Sequence, residues 1–218
     1  MGEGLFQKLV ITLLLPLVQR WIIARGLRAL VGGDQFVYWV KFDPTTCVAP
    51  DLYVLPGVSP GTEVECWKVW ETGVVPSFAL EIVSDDRRKD YERSPGRYHE
   101  LGVSELVVFD RHYRRRGHVR WQVFRRVKGR GLVRVEATNE DRVESRELGC
   151  WLCAVGTGYA TRLRIGTGAR GEELFPTEAE AERAGREIER AAREIAEARV
   201  RELEAELAAL RARRPRKK

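Results

Sequence analysis

Apolar positions along the chain change period several times, and the changes outline its elements. Leu5, Leu9, Leu13, Leu14, Leu17, Val18 and Trp21 recur at helical spacing and predict a helix over 4–25. Pro16 lies inside that run and is expected to kink or divide it. β-rich runs follow at 35–40, at 48–55 and at 64–70, the last carrying Trp67 and Trp70. Asp43-Pro44-Thr45-Thr46 and Pro56-Gly57 separate them as turns. Residues 77–84 read as a buried strand whose apolar run is broken by one carboxylate, Glu81. A helix is expected from 85 towards Leu101, disturbed by Pro95-Gly96 and closed by Gly102. A short apolar strand at 105–110 then completes one βαβ unit. Alternation over 119–127, the turn Lys128-Gly129-Arg130-Gly131 and a return over 132–137 predict a hairpin, and 148–165 supplies one or two more strands.

The last segment is of another kind. Thr177, with Glu180 three residues on, forms a capping-box pattern. From there to Arg214 no proline occurs and Gly185 is the single glycine, so a helix of about 57 Å is expected. Ala181, Ala184, Ile188, Ala191 and Ile195, then Val200, Leu203, Leu207 and Leu210, are its apolar positions, and the step from Ile195 to Val200 breaks the register. It reads either as a coiled coil that makes a homodimer or recruits a partner, or as a long helix lying partly on its own domain.

A chain of 218 residues suits one domain plus an appendage, here a body over 1–175 and a charged helix over 176–218. The net charge of +6 is unevenly spread. Residues 1–110 carry −4, whereas 111–146 hold twelve basic and four acidic groups. Such a segment attracts a polyanion by counterion release; a solvated arginine-rich hairpin explains it equally well. Cys150 and Cys153 have CxxC spacing, but no second pair stands at zinc-binding distance, so the cysteines Cys47, Cys66, Cys150 and Cys153 read as buried thiols. The uninterrupted apolar run at 11–18 is far short of the roughly 20 residues of a membrane span, and no signal-peptide pattern precedes it. A cytoplasmic protein without membrane contact is therefore expected. His99, His112 and His118 give no catalytic spacing, and no Ser-His-Asp set, P-loop or dinucleotide fingerprint is present.

Two carboxylates stand out. Asp51 follows Pro50 at the start of a strand, and Glu81 interrupts an apolar one. A carboxylate in a strand core is costly unless it is paired or binds a metal. On neighbouring strands the two would suit Mg²⁺, which takes carboxylate, phosphate and water oxygens. The plainer reading of Glu81 is a solvent-facing residue or an arginine partner.

The stretches Val48-Ala49-Pro50-Asp51-Leu52-Tyr53-Val54 and Leu80-Glu81-Ile82-Val83-Ser84, then Asp90, Tyr98 and 102–110, resemble the Uma family of putative restriction endonucleases. So does Leu174-Phe175-Pro176-Thr177 followed by a Glu/Ala/Arg helix. The resemblance implies the PD-(D/E)XK nuclease superfamily: an α/β fold with a restriction-endonuclease-like mixed β-sheet flanked by helices, here with a long C-terminal helix. It implies a DNA endonuclease using Mg²⁺, or alternatively Mn²⁺, held by Asp51 and Glu81. The superfamily lysine would fall at Val83, or, as in many family members, four residues before Tyr98, where this chain has Ser94. An aspartate common in the family is Ser77 here. Lys89 is the candidate for the missing cation, although on a helix it points about 140° away from Ser94, and Arg93 about 100°. Two rival readings remain: the same fold, catalytically inactive, binding nucleic acid; and an interaction protein whose coiled-coil tail is the working part.

Overall fold

The computed structural model describes residues 5–83, 91 and 93–212. They form two compact units, Met1–Phe175 and Pro176–Lys218. The first is built around a six-stranded mixed sheet. In chain order its strands are β1 (Ala29–Gly32), β4 (Leu52–Pro56), β6 (Phe78–Ile82), β7 (Glu105–Phe109), β8 (Trp121–Val127) and β9 (Gly131–Thr138), and this is also their spatial order. β6 and β7 are parallel; every other neighbouring pair is antiparallel. The parallel pair is joined through helix α3 (Ser94–Leu101), which makes 77–110 the expected βαβ unit.

Alternation along the central strands divides the core in two. Leu52, Val54, Phe78, Leu80, Ile82, Val107, Phe109, Trp121 and Val123 face one side, where they pack with helix α1 (Leu5–Ala24). A second sheet, β10 (Arg142–Ser145), β11 (Cys150–Val155), β12 (Arg162–Thr167) and β13 (Glu173–Leu174), closes that side. Tyr53, Leu55, Ala79, Val83, Leu106, Val108 and Phe124 face the other side. There they meet α3 and a small sheet of β3 (Cys47–Val48), β2 (Phe36–Tyr38) and β5 (Cys66–Lys68), which leads into the single turn α2 (Val69–Thr72). With both faces covered, β6 and β7 are buried at every position, Glu81 and Glu105 included.

α1 is long and apolar enough to cross a membrane by length and composition, yet Val10, Leu14, Leu17, Val18 and Ile22 are core residues of this domain. Pro16 does not divide it: the helix runs through, because the proline is exposed and water can take the carbonyl its ring leaves without a donor. The run at 48–55 is not one strand. Ala49-Pro50-Asp51 breaks it, so β3 and β4 belong to different sheets. Pro95 lies in the first turn of α3, a position where its missing N–H costs nothing; the expected helix start at 85 lies outside the described residues. Cys150 and Cys153 both lie on β11, where an odd spacing sends them to opposite faces. Cys150 enters the core and Cys153 meets the Gly171 carbonyl, so the pair cannot chelate one ion.

The second unit is helix α4 (Glu178–Ala212). Its start is the capping box: Thr177 N–H donates to Glu180 Oε2 at 2.8 Å, and Glu180 N–H donates to Thr177 Oγ1 at 3.3 Å.

Candidate active site

Asp51 reaches the sheet because Pro50 ends one pairing and Leu52 begins another. β4 and β6 are antiparallel with Leu52 opposite Leu80, so one further step sets Asp51 opposite Glu81. Both residues belong to the Tyr53/Val83 face of the sheet, the one covered by α3. Asp51 is 7% exposed and Glu81 9%, so each carboxylate must be oriented by protein donors. Ile82 N–H donates to Asp51 Oδ2 at 2.6 Å. The hydroxyl of Tyr98, itself fully buried on α3, donates to Glu81 Oε1 at 2.6 Å.

The approach to Asp51 is shaped by glycine. A side chain at Gly33 would lie 2.5 Å from the Asp51 carbonyl oxygen, and Asp34 N–H donates to Pro50 O at 2.8 Å. The loop before β2 therefore lies directly on the Pro50-Asp51 backbone. This close approach is what Gly33 is for.

Ser94, where the family resemblance places a lysine, is buried on the first turn of α3, one turn before Tyr98. Arg93 is exposed, as helical rotation predicts. Arg97 is committed elsewhere: it donates to the carbonyls of Thr45 and Cys47 and lies over the Trp39 ring. Neither arginine replaces the lysine. Lys89, the sequence candidate for that role, lies outside the described residues, as does Asp90. Among the described residues no cluster of three or more His, Cys, Asp or Glu forms a metal cage, so a metal here would rest on Asp51 and Glu81.

Two further groups occupy the same face and were not singled out by sequence reasoning. Asp110 follows β7 at the same edge and is fully buried. It accepts from Tyr91 Oη at 2.8 Å and from the His112 N–H at 2.6 Å, and it lies 2.6 Å from His118 Nδ1. These bonds tie the 111–119 loop to the sheet. Gln122 shares the cross-strand row of Glu81 and Val108. Its Oε1 accepts from Arg134 at 2.9 Å, while its buried Nε2 has no partner among the described residues. Its place in an alternating strand was the one signal available. Ser77 lies at the other end of β6, beside Glu105, and is no part of the carboxylate edge.

The molecule is a mixed α/β protein whose covered sheet sets two oriented carboxylates side by side at one end. The chain belongs to the Uma2 family, described as putative restriction endonuclease, whose model matches residues 1–155. Among solved structures it is similar to a putative nuclease belonging to DUF820 from Anabaena variabilis ATCC 29413. The two are 12% identical over 68% of this chain and 76% of that one, with a TM-score of 0.46. No curated protein matches the chain.

Proposed function

We propose that the protein is a metal-dependent DNA endonuclease whose ion is held by Asp51 and Glu81. The observation that supports this most is their pairing on adjacent strands, both buried, both on the face covered by α3. Two carboxylates from rigid strands fit Mg²⁺, which is bound through one or two carboxylates together with substrate phosphate and water, and they equally fit Mn²⁺. When bound, such an ion supplies charge stabilisation for phosphodiester hydrolysis and a more acidic water.

The chain's own residues do the positioning. The Ile82 N–H fixes one oxygen of Asp51, and Tyr98 fixes one oxygen of Glu81, so neither side chain has to search for its orientation. Gly33 lets a loop close over the Asp51 backbone. The four free cysteines support the expected cytoplasmic setting.

Supercoiled plasmid incubated with Mg²⁺ or Mn²⁺ tests the reading. Wild type is expected to nick it, chelator to stop nicking, and Asp51→Ala or Glu81→Ala to reduce it to background. Folded wild type that leaves plasmid intact with both ions would overturn it.

A second reading is favoured by Ser94. With Arg93 exposed and Arg97 bound to carbonyls, the described part of α3 brings no cation to the carboxylates. A protein of this fold that binds DNA without cutting it would show duplex binding but no nicking in the same experiment.

A further inference from the structure

The fold divides the basic segment 111–146 into two parts with different surroundings. β8 runs antiparallel to β7, so 111–120 remains at the edge that carries Asp51 and Glu81. Arg125 and Arg126 lie towards the opposite edge, and both are engaged. Arg125 donates to Glu105 at 2.9 Å, and Arg126 donates to the carbonyls of Val103 and His99. Residues 111–120 contain five arginines and no carboxylate.

Four of those arginines, Arg111, Arg114, Arg115 and Arg120, line one side of a cleft of about 260 Å³. Gly156-Thr157-Gly158 and Thr161, from the turn between β11 and β12, line the other. Gly156 has φ +87°, and a side chain there would lie 2.7 Å from the Ala160 carbonyl oxygen, so this wall is shaped for backbone alone. Residues 156–161 lie beyond the part of the chain that the family model matches.

Among the described residues no carboxylate lies in ion-pair contact with Arg114, Arg115 or Arg120, and Asp141 is the one carboxylate that feels the Arg120 charge. Arg120 lies 3.9 Å over the Tyr113 ring and donates to the Glu140 carbonyl; Arg114 donates to the Tyr113 hydroxyl. Two neighbours respond to the positive field. Burial and then Arg111 and Arg115 lower the His112 pKa, and the Arg114 hydrogen bond leads the causes that lower that of Tyr113. The loop is also held in place at its base by the Asp110 bonds to His118, Tyr91 and His112. Two tyrosine rings beside the cleft each have an arginine over one face, Tyr113 with Arg120 and Tyr159 with Arg111 at 4.5 Å.

We propose that this cleft is a DNA-backbone subsite that seats a phosphodiester of a duplex lying along the carboxylate edge. Its choice of DNA rests on the nuclease reading. The site takes phosphate through guanidinium groups, the backbone of the Gly156 turn and the Thr161 hydroxyl, so it holds all sequences alike.

The test is fluorescence anisotropy of the full chain with a labelled duplex in EDTA, titrated across salt. Arg115→Ala removes an exposed side chain that supports no fold contact and is expected to lower the log–log salt slope by about 0.9. Arg114→Ala together with Arg115→Ala is expected to lower it by about 1.8, equally on unrelated sequences. Arg130→Ala, on the hairpin turn at the far edge, is expected to leave it unchanged. Slopes unaltered by the cleft variants, an equal loss from Arg130→Ala, preference for single-stranded over duplex probe, or no binding by wild type would each overturn the proposal. Because EDTA removes any need for cleavage, the two readings fail separately. A protein that never nicks plasmid but shows the slope changes retains the cleft and loses the nuclease. A protein that nicks with unchanged slopes does the reverse.

Discussion

Tyr98 comes from a helix and Glu81 from a strand, and their 2.6 Å bond is the contact by which α3 orients the second carboxylate. A hydrogen bond to a charged group stabilises by about 1.5–3 kcal/mol, and Tyr98→Phe is expected to lose that amount in denaturant unfolding. It should also reduce metal-dependent nicking, since Glu81 would keep its charge and lose its orientation. Glu105 provides the contrast. It is 1% exposed at the opposite end of the sheet, where Arg125 donates to it at 2.9 Å, Arg146 N–H at 3.1 Å, and Ser145 Oγ through a short bond. Glu105→Ala removes the buried partner of Arg125, which keeps only the half-exposed Glu144 at 3.7 Å, and is expected to cost about 3 kcal/mol of stability. Nicking per folded molecule should not change. A loss of nicking with stability intact would mean that the two ends of the sheet had been assigned the wrong roles.

Among the elements, α4 has the least internal support. Ile188 and Ile195 are about 70% exposed, and Val200, Leu203 and Leu207 are about half exposed, an apolar stripe along the helix. The charged face pairs along its own helix, Arg186 with Glu182, Arg190 with Glu194, and Arg193 with Glu197. Each such exposed pair contributes only about 0.2–0.5 kcal/mol. A helix of 35 residues held by pairs of that size needs a partner for its apolar stripe, and we propose a second copy of α4. Removing residues 177–218 is then expected to lower the mass measured by light scattering from that of two full chains to that of one truncated chain. A full-length chain that is monomeric at micromolar concentration would refute this. Smaller elements follow different rules: β1 is four residues long and β13 two, both sheet edges, and neither stood out in the apolar pattern because so few residues cannot show a period.

Across the whole molecule the sheet sets the chemistry by edges and faces. One edge gathers Asp51, Glu81 and Asp110, and the opposite edge gathers Ser77 and Glu105. The arginine cleft lies at the first edge but on the Phe109 face, whereas the carboxylates lie on the face covered by α3. On the proposed reading, this separation keeps the guanidinium groups that would hold backbone phosphates away from the carboxylates. It also explains why net charge was a poor guide: Arg125 and Arg126 of the basic segment serve to fasten β8 to its neighbours.

The sequence by itself determined the elements with long periods or unbroken apolar runs: α1, β6, β7, the β8–β9 hairpin and α4 with its cap. These are legible because burial of a repeating pattern is a local property of the chain. It also drew attention to Glu81, since an acid inside an apolar strand is conspicuous wherever the strand lies. Tertiary structure decided the rest. Only strand register could set Asp51 opposite Glu81, and only the break at Ala49-Pro50-Asp51 could send β3 and β4 to separate sheets. Asp110 and Gln122 joined that face through pairing across strands, which no spacing along the chain encodes. The division of the arginines likewise depends on β8 running antiparallel to β7, so that residues adjacent in sequence end at opposite edges of one sheet.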